Sequence, residues 1–234
     1  MNDEQAELDR IILHLLGKDD EIGKRTKPVV IYNNDEIVKL DLSGLKLSIL
    51  PDGFFNNFYE LRELDLSDNE FKIIPDGIFD NLPNLKRLIL SNTIDPSEFV
   101  QEDKVVLPPL LFTKLINLKE LDISNNQLDG LNDDVFAKVN NLEKLKLSYN
   151  FLQNLPSSIG ALHNLSYLDL DSNFLPVEQS GEYKSHTEVQ SFIYPYKEVW
   201  LKEKSKNTTT TKDTDDASIE QELQKAFSML EDLF

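Results

Sequence analysis

Three histidines, His14, His163 and His186, are scattered through a chain of 234 residues that has no cysteine. Thiolate chemistry is therefore excluded, and the isolated histidines match neither a zinc-finger spacing nor a His-Glu-x-x-His helix. One stretch, Gly17 to Thr26 (GKDDEIGKRT), has the glycines and lysine of a phosphate-binding loop. Its glycines stand one residue too far apart, Arg25 separates Lys24 from Thr26, and helical periodicity precedes it where a strand should. It is not read as a nucleotide site. What remains is the chemistry of recognition, carried by carboxylates, lysines and aromatics. No catalytic residue, metal ligand or cofactor is expected.

Those recognition residues recur in register. The pattern Leu-x-x-Leu-x-Leu-x-x-Asn-x-Leu appears as LRELDLSDNEF from Leu61, LKELDISNNQL from Leu118, LEKLKLSYNFL from Leu142 and LSYLDLDSNFL from Leu165. Looser copies start at Ile37 (IVKLDLSGLKL) and Leu85 (LKRLILSNTID), and the spacings between first positions are 24, 24, 33, 24 and 23 residues. A fixed period of this length marks a repeat architecture. From about residue 37 to 176 the chain resembles the leucine-rich repeat family. The resemblance implies an α/β solenoid, a horseshoe with a parallel concave sheet. It also implies that Asn69, Asn126, Asn150 and Asn173 bond backbone groups of adjacent turns as a ladder. Leu45 and Thr93 replace asparagine in copies one and three, so the ladder is expected to break there. A protein- or peptide-binding surface and a non-enzymatic role come with the same resemblance.

Alternation within each copy points Leu40/Leu42, Leu64/Leu66, Leu88/Leu90, Leu121/Ile123, Leu145/Leu147 and Leu168/Leu170 inward. A second column, Phe55, Phe79, Phe112 and Phe136, is read as core of the return half, with Ile159 taking its place in copy five. The third, fifth and seventh positions then face outward. The fifth column reads Asp41, Asp65, Ile89, Asp122, Lys146, Asp169, and the third reads Lys39, Glu63, Arg87, Glu120, Lys144, Tyr167. Two groups stand out as candidate partner-binding residues. Asp41, Glu63, Asp65 and Asp68 are acidic, read either as a solvated face or as a steering surface for a basic partner. Tyr149, Phe151, Tyr167 and Phe174, with Lys144 and Lys146, gather aromatics on copies five and six. They are read as an interface hot spot, with the alternative that Phe151 and Phe174 pack along the rim or under the C-terminal cap.

An end repeat without a neighbour would expose its leucine layer, so both ends need caps. Residues 1–36 are read as the N-terminal cap: a helix with Leu8, Ile11, Ile12, Leu15 and Leu16 on one face, then the first strand of a hairpin, Pro28–Tyr32. Residues 37–176 hold six repeats, the third enlarged between Ile94 and Leu107. That insertion, which carries Phe99 and Val100, is read as a tolerated loop or a partner contact. Residues 177–201 form the C-terminal cap, where Ser185 and Glu188 make a capping box and Pro195 is expected to interrupt the helix. Residues 202–217 read as a flexible linker and 218–234 as an amphipathic helix. Phe227, Leu230 and Phe234 on its stripe serve an extra cap, a partner's groove or self-association.

A formal charge of −18, spread along the chain, leaves no basic footprint for nucleic acid and favours basic partners. No run is long and apolar enough to span a membrane. The absence of cysteine and the acidic N-terminus point to a cytoplasmic protein, and a monomer is expected. The function expected is a protein-binding adaptor or scaffold. The alternative is a regulatory subunit that occludes an enzyme. A metal-dependent binder using the Asp column is disfavoured, because that column lacks the glycine-turned oxygen cage of a calcium loop.

Overall fold

The computed structural model describes residues 14, 28–33, 36–72, 74–75, 77–94, 100–101, 104–105 and 107–208. In chain order the strands are β1 (Val29–Asn33), β2 (Glu36–Asp41), β3 (Glu63–Asp65), β4 (Arg87–Ile89), β5 (Val100–Gln101) and β6 (Lys104–Val105). They continue with β7 (Glu120–Asp122), β8 (Lys144–Lys146), β9 (Tyr167–Asp169) and β10 (Glu182–Tyr183), followed by a long helix, α1 (His186–Thr208). One sheet of eight strands runs β1-β2-β3-β4-β7-β8-β9-β10. Its inner members, β2 to β9, are parallel, and Leu40, Leu64, Leu88, Leu121, Leu145 and Leu168 stand opposite one another along it.

Both leucine columns are buried, as are Phe55, Phe79, Phe112, Phe136 and Ile159 beneath the returns. The two sets of side chains meet from opposite sides and fill a single continuous core. The returns of copies one to three are runs of tight turns started by Pro51, Pro75 and Pro108, copy four starts its own at Asn132, and copy five uses a short 3-10 helix, Ser157–Ala161. In the first, Phe54 donates to the Pro51 carbonyl, Asn56 to Gly53 and Phe58 to Phe55. Such turns satisfy the backbone locally, so the chain crosses under the sheet without needing a further strand.

The asparagine ladder is present, and it is directional. Asn150 donates from Nδ2 to the carbonyls of Ile123 in the preceding copy (3.0 Å) and Leu147 in its own (2.9 Å). Its Oδ1 accepts from the Asn126 and Leu128 amides at 3.0 and 3.1 Å. At Thr93 the expected break is partial: Thr93 keeps the donor half of the rung. Its hydroxyl donates to the Leu66 carbonyl at 2.8 Å and to that of Ser91 at 3.1 Å, which supplies the donor half of an asparagine. Leu45 is different. The rung reaches back to the preceding turn, and copy one has only the β1 hairpin behind it, so a buried leucine is the better occupant.

A second ladder was not anticipated. Asn84, Asn117, Asn141 and Asn164 each precede the first leucine of a copy, and their Nδ2 atoms donate to the carbonyls of Tyr59, Pro83, Ile116 and Asn140 at 2.8–3.0 Å.

Both sheet ends are closed by antiparallel strands. β1 pairs with β2, as the hairpin pattern suggested, and the two-residue β10 pairs with β9. α1 then runs through Pro195 and on to Thr208. The expected interruption at Pro195 is absent, and residues 202–208, assigned to a linker, are helix. The lost backbone bond is offset by anchors on either side. Val189 and Ile193 are buried, and Phe192 packs on Tyr183 with ring centroids 4.5 Å apart. Beyond residue 201, Glu203 accepts from the Ser157 hydroxyl at 2.8 Å and Lys204 reaches Asp134 at 3.0 Å. The helices read at residues 3–16 and 218–234, with Phe227, Leu230 and Phe234, lie outside the described residues, apart from the exposed His14.

The capping box at the start of α1 is formed. The Glu188 amide donates to Ser185 Oγ (3.3 Å), and Glu188 Oε2 accepts from the Ser185 and Lys184 amides (3.2 and 3.1 Å). These bonds, that to Lys184 foremost, hold the Glu188 carboxyl below its ordinary range. Ser185→Ala is expected to lower unfolding free energy by about 1 kcal/mol in urea titration. An unchanged midpoint would show that packing alone sets the start of the helix.

Candidate functional site

The outward face of the sheet is a lattice of charges that pair between neighbouring copies. Lys39 meets Glu63 at 3.1 Å, Arg87 meets Glu120 at 3.4 Å and Lys146 meets Asp122 at 3.0 Å. The fifth-column aspartates also shape the backbone. Oδ1 of Asp41, Asp65, Asp122 and Asp169 accepts the amide two residues ahead, from Ser43, Ser67, Ser124 and Asp171, at 2.9–3.1 Å. Asp65 and Asp122 additionally accept the hydroxyls of Ser67 and Ser124 at 2.6 Å. Each carboxylate pins the chain where it leaves the strand, as an Asx turn does.

The acidic group of copies one and two is therefore engaged locally. Asp41 and Asp65 hold turns, Glu63 is paired with Lys39, and Asp68 accepts from Asn92 Nδ2 at 2.8 Å. Among the described residues, no three of His, Asp and Glu gather as a metal-ligand set. Ile89 sits half-buried in β4 between Asp65 and Asp122, an apolar spot in a charged column.

Immediately after each strand the backbone turns left-handed, at the eighth position of every copy. Its occupants are Gly44, Asp68, Asn92, Asn125, Tyr149 and Ser172, with φ between 51° and 66°. Glycine, asparagine and aspartate tolerate that region, and serine is small, but a tyrosine there is strained by about 1–2 kcal/mol. Tyr149 (φ 55°) is nevertheless 63% exposed, so burial does not compensate it. Two residues on, Phe151 stacks on Phe174 of the next copy, centroids 5.5 Å apart and planes 21° from parallel. These rings are 40% and 66% exposed, and Val177 shortly beyond is 90% exposed. The alternative that they are covered by the C-terminal cap is thus set aside.

Tyr167 does not join them. It opens β9, at the third position of its copy, whereas Tyr149 stands at the eighth, past the end of β8 in the left-handed turn. Its hydroxyl donates to Glu182 of β10. That bond, with burial and the nearby Asp169, pushes the tyrosine above its ordinary range. Glu182 is held low by Lys184, 2.6 Å away, and by Tyr167. Tyr167 therefore fastens the cap strand. Lys146 is spent on Asp122, and Lys144 stays exposed on β8. The aromatics in contact are Phe151 and Phe174, with Tyr149 exposed two residues before Phe151 in the chain, and the exposed apolar residue absent from the sequence reading is Val177, three residues after Phe174.

A stack of parallel strands, turned at the eighth position and stitched by asparagines at the ninth, defines a repeat solenoid built to present one sheet face. The leucine rich repeat family model matches residues 35–93 and 106–175, more than half of the sequence, and the chain belongs to that family. The gap between the two matches is the enlarged third copy. Podocan of Mus musculus is 37% identical over 90 residues, 38% of this chain and 14% of that protein. Toll-like receptor 3 of Bos taurus is 38% identical over 90 residues, 38% of this chain and 9% of that protein. The chain thus spans a small part of the curated relatives it matches. Among solved structures, the Arabidopsis receptor kinase HAESA ectodomain, in complex with an IDA peptide hormone, is 27% identical with a TM-score of 0.51, covering 74% of this chain and 28% of that one. The APL1 leucine-rich repeat domain gives a TM-score of 0.52 at 23% identity, covering 65% of this chain and 41% of that one, a likeness of fold.

Proposed function

We propose that this protein is a non-catalytic adaptor that binds a protein or peptide on the exposed face of its sheet, with Tyr149, Phe151 and Phe174 as the anchoring group. The observation that carries the reading is Tyr149, a bulky aromatic in a left-handed slot and largely exposed. Strain without burial is a cost to the free protein, and a partner that buries the ring would recover it. The stacked Phe151–Phe174 pair offers a rigid apolar platform beside it, of the kind enriched at interface centres. The peptide held by the HAESA ectodomain supports the class of ligand. The net charge supports a basic one, and the lack of cysteine supports a reducing compartment.

The test separates binding from folding. A partner recovered by pull-down from source-cell lysate and identified by mass spectrometry is titrated against wild type and Tyr149→Asn. The substitution is expected to raise unfolding free energy by about 1 kcal/mol by relieving the backbone, and to weaken binding by more than about 2 kcal/mol. Equal affinity would remove the aromatic group as the anchor. A drop in stability would show that Tyr149 packs usefully in the free protein.

A further inference from the structure

We propose a second docking site on this chain, away from the sheet face: the groove between α1 and the returns of copies four and five, taking an apolar segment of a protein partner that carries an arginine or lysine. The groove has a volume of about 520 Å³. One wall is a stripe of α1, where Phe192, Pro195 and Val199 recur at helical spacing, and Leu155 lies across from it. Around this apolar surface stand three carboxylates, Asp133, Glu178 and Glu203, and among the described residues no lysine or arginine lines it. Glu203 is held in place by the Ser157 hydroxyl at 2.8 Å.

The ligand follows from that inventory. Apolar walls call for an aliphatic or aromatic side chain, and a surplus of acceptors calls for a cationic donor. A guanidinium offers five N–H groups in a planar fork, and an ammonium three. The cation on the neighbouring flank, Lys204, is already engaged with Asp134 at 3.0 Å and with the Trp200 ring at 4.2 Å. Charge argues against the two internal candidates. Residues 209–234 of this chain carry seven carboxylates against two lysines, and a second copy brings a further net charge of −18. Either would meet the groove with like charge. None of Tyr149, Phe151 and Phe174 lines the groove, so the site stands independently of the sheet-face reading.

The experiment uses the full chain and a fluorescein-labelled pentapeptide, Leu-Arg-Leu-Arg-Leu, followed by fluorescence anisotropy. Binding should saturate, weaken at least tenfold when both arginines are replaced by the uncharged isostere citrulline, and weaken at least fivefold in Glu178→Gln combined with Asp133→Asn. Tyr149→Asn should leave it unchanged. If the double variant misfolds by circular dichroism, Glu178→Gln alone and Val199→Trp, which fills the groove from an exposed position, take its place. ¹³C-methyl spectra should show Leu155 and Val199 shifting with the arginine peptide. The proposal is overturned if the peptide does not saturate, if citrulline binds equally, or if the groove variants have no effect. It is likewise overturned if deleting 209–234 raises peptide affinity, which would make the chain's own tail the occupant. A dimer that Val199→Trp dissociates would instead assign the groove to a second copy.

Discussion

Gly160→Ala is expected to lower the unfolding free energy by about 3–5 kcal/mol. In an open turn the same change would stabilise by about 0.4–1 kcal/mol through the unfolded chain, so space decides the sign. Gly160 is not in the left-handed region. It is glycine because α1 rests on it: an added β-carbon would lie 2.3 Å from the backbone nitrogen of Lys197, 2.4 Å from its Cα and 2.5 Å from the carbonyl carbon of Tyr196. Those are main-chain atoms of a regular helix, and no rotamer change relieves them. The helix must lift, which unseats Val189 and Ile193, each contributing about 1.5–3 kcal/mol of burial. Because a solenoid layer is supported only by its neighbours, loss of the cap transmits to the Leu168/Leu170 layer. Denaturant titration reads the total, and hydrogen exchange at the Leu168 and Leu170 amides reads its location. Wild-type values in both would mean that the helix seat yields freely.

The second large loss is expected at Asn126→Ala, about 3–5 kcal/mol. This side chain joins the enlarged third copy to the fourth. Nδ2 donates to the Leu90 carbonyl at 2.7 Å and to that of Ile123 at 3.0 Å, and Oδ1 accepts from the Thr93 and Ile94 amides at 2.9 and 3.1 Å. Truncation leaves those backbone groups buried without a partner, at about 1–3 kcal/mol for each that water fails to reach. Thr93→Val removes one donor while keeping the shape, so a loss nearer 1 kcal/mol is expected there. Thermal melts of the two variants rank them. If Thr93→Val proves the costlier, the ladder is not the source of cohesion at this junction.

Period and alternation made the leucine columns, the Phe column and the hairpin at β1 legible in the sequence, because burial acts on every copy alike. Departures from the period were harder to read. Thr93 reads as a gap in the ladder because a consensus position names a residue, whereas half of what the fold asks for there is a donor, and a hydroxyl is one. Pro195 looked like a helix end because local propensity was weighed without the surface on which the helix lies. Gly160 is 37 residues from Lys197, and no local pattern announces that their backbones touch. The second ladder did leave a signal, an asparagine directly before the first leucine in Asn84, Asn117, Asn141 and Asn164. At the candidate site, alternation placed the leucines of each copy inward, but Asp122 of the column read as outward is buried, bonded to Ser124 and Lys146. The columns did not reveal that adjacent opposite charges pair across copies, nor that Tyr149 and Tyr167 stand at opposite ends of their turns.

The hairpin of β5 and β6 sits in the enlarged third copy, yet β4 and β7 keep the register Arg87↔Glu120 although 33 residues, not 24, separate them. Closing a loop of that length instead of the shorter one costs only about 0.3 kcal/mol in chain entropy. Even doubling it would add about 0.6 kcal/mol. The chain thus contains a natural splice point: a reporter domain or affinity handle threaded between β5 and β6 would enter a copy to which neither Phe151 and Phe174 nor the described lining of the α1 groove belongs, and leave each free to be measured.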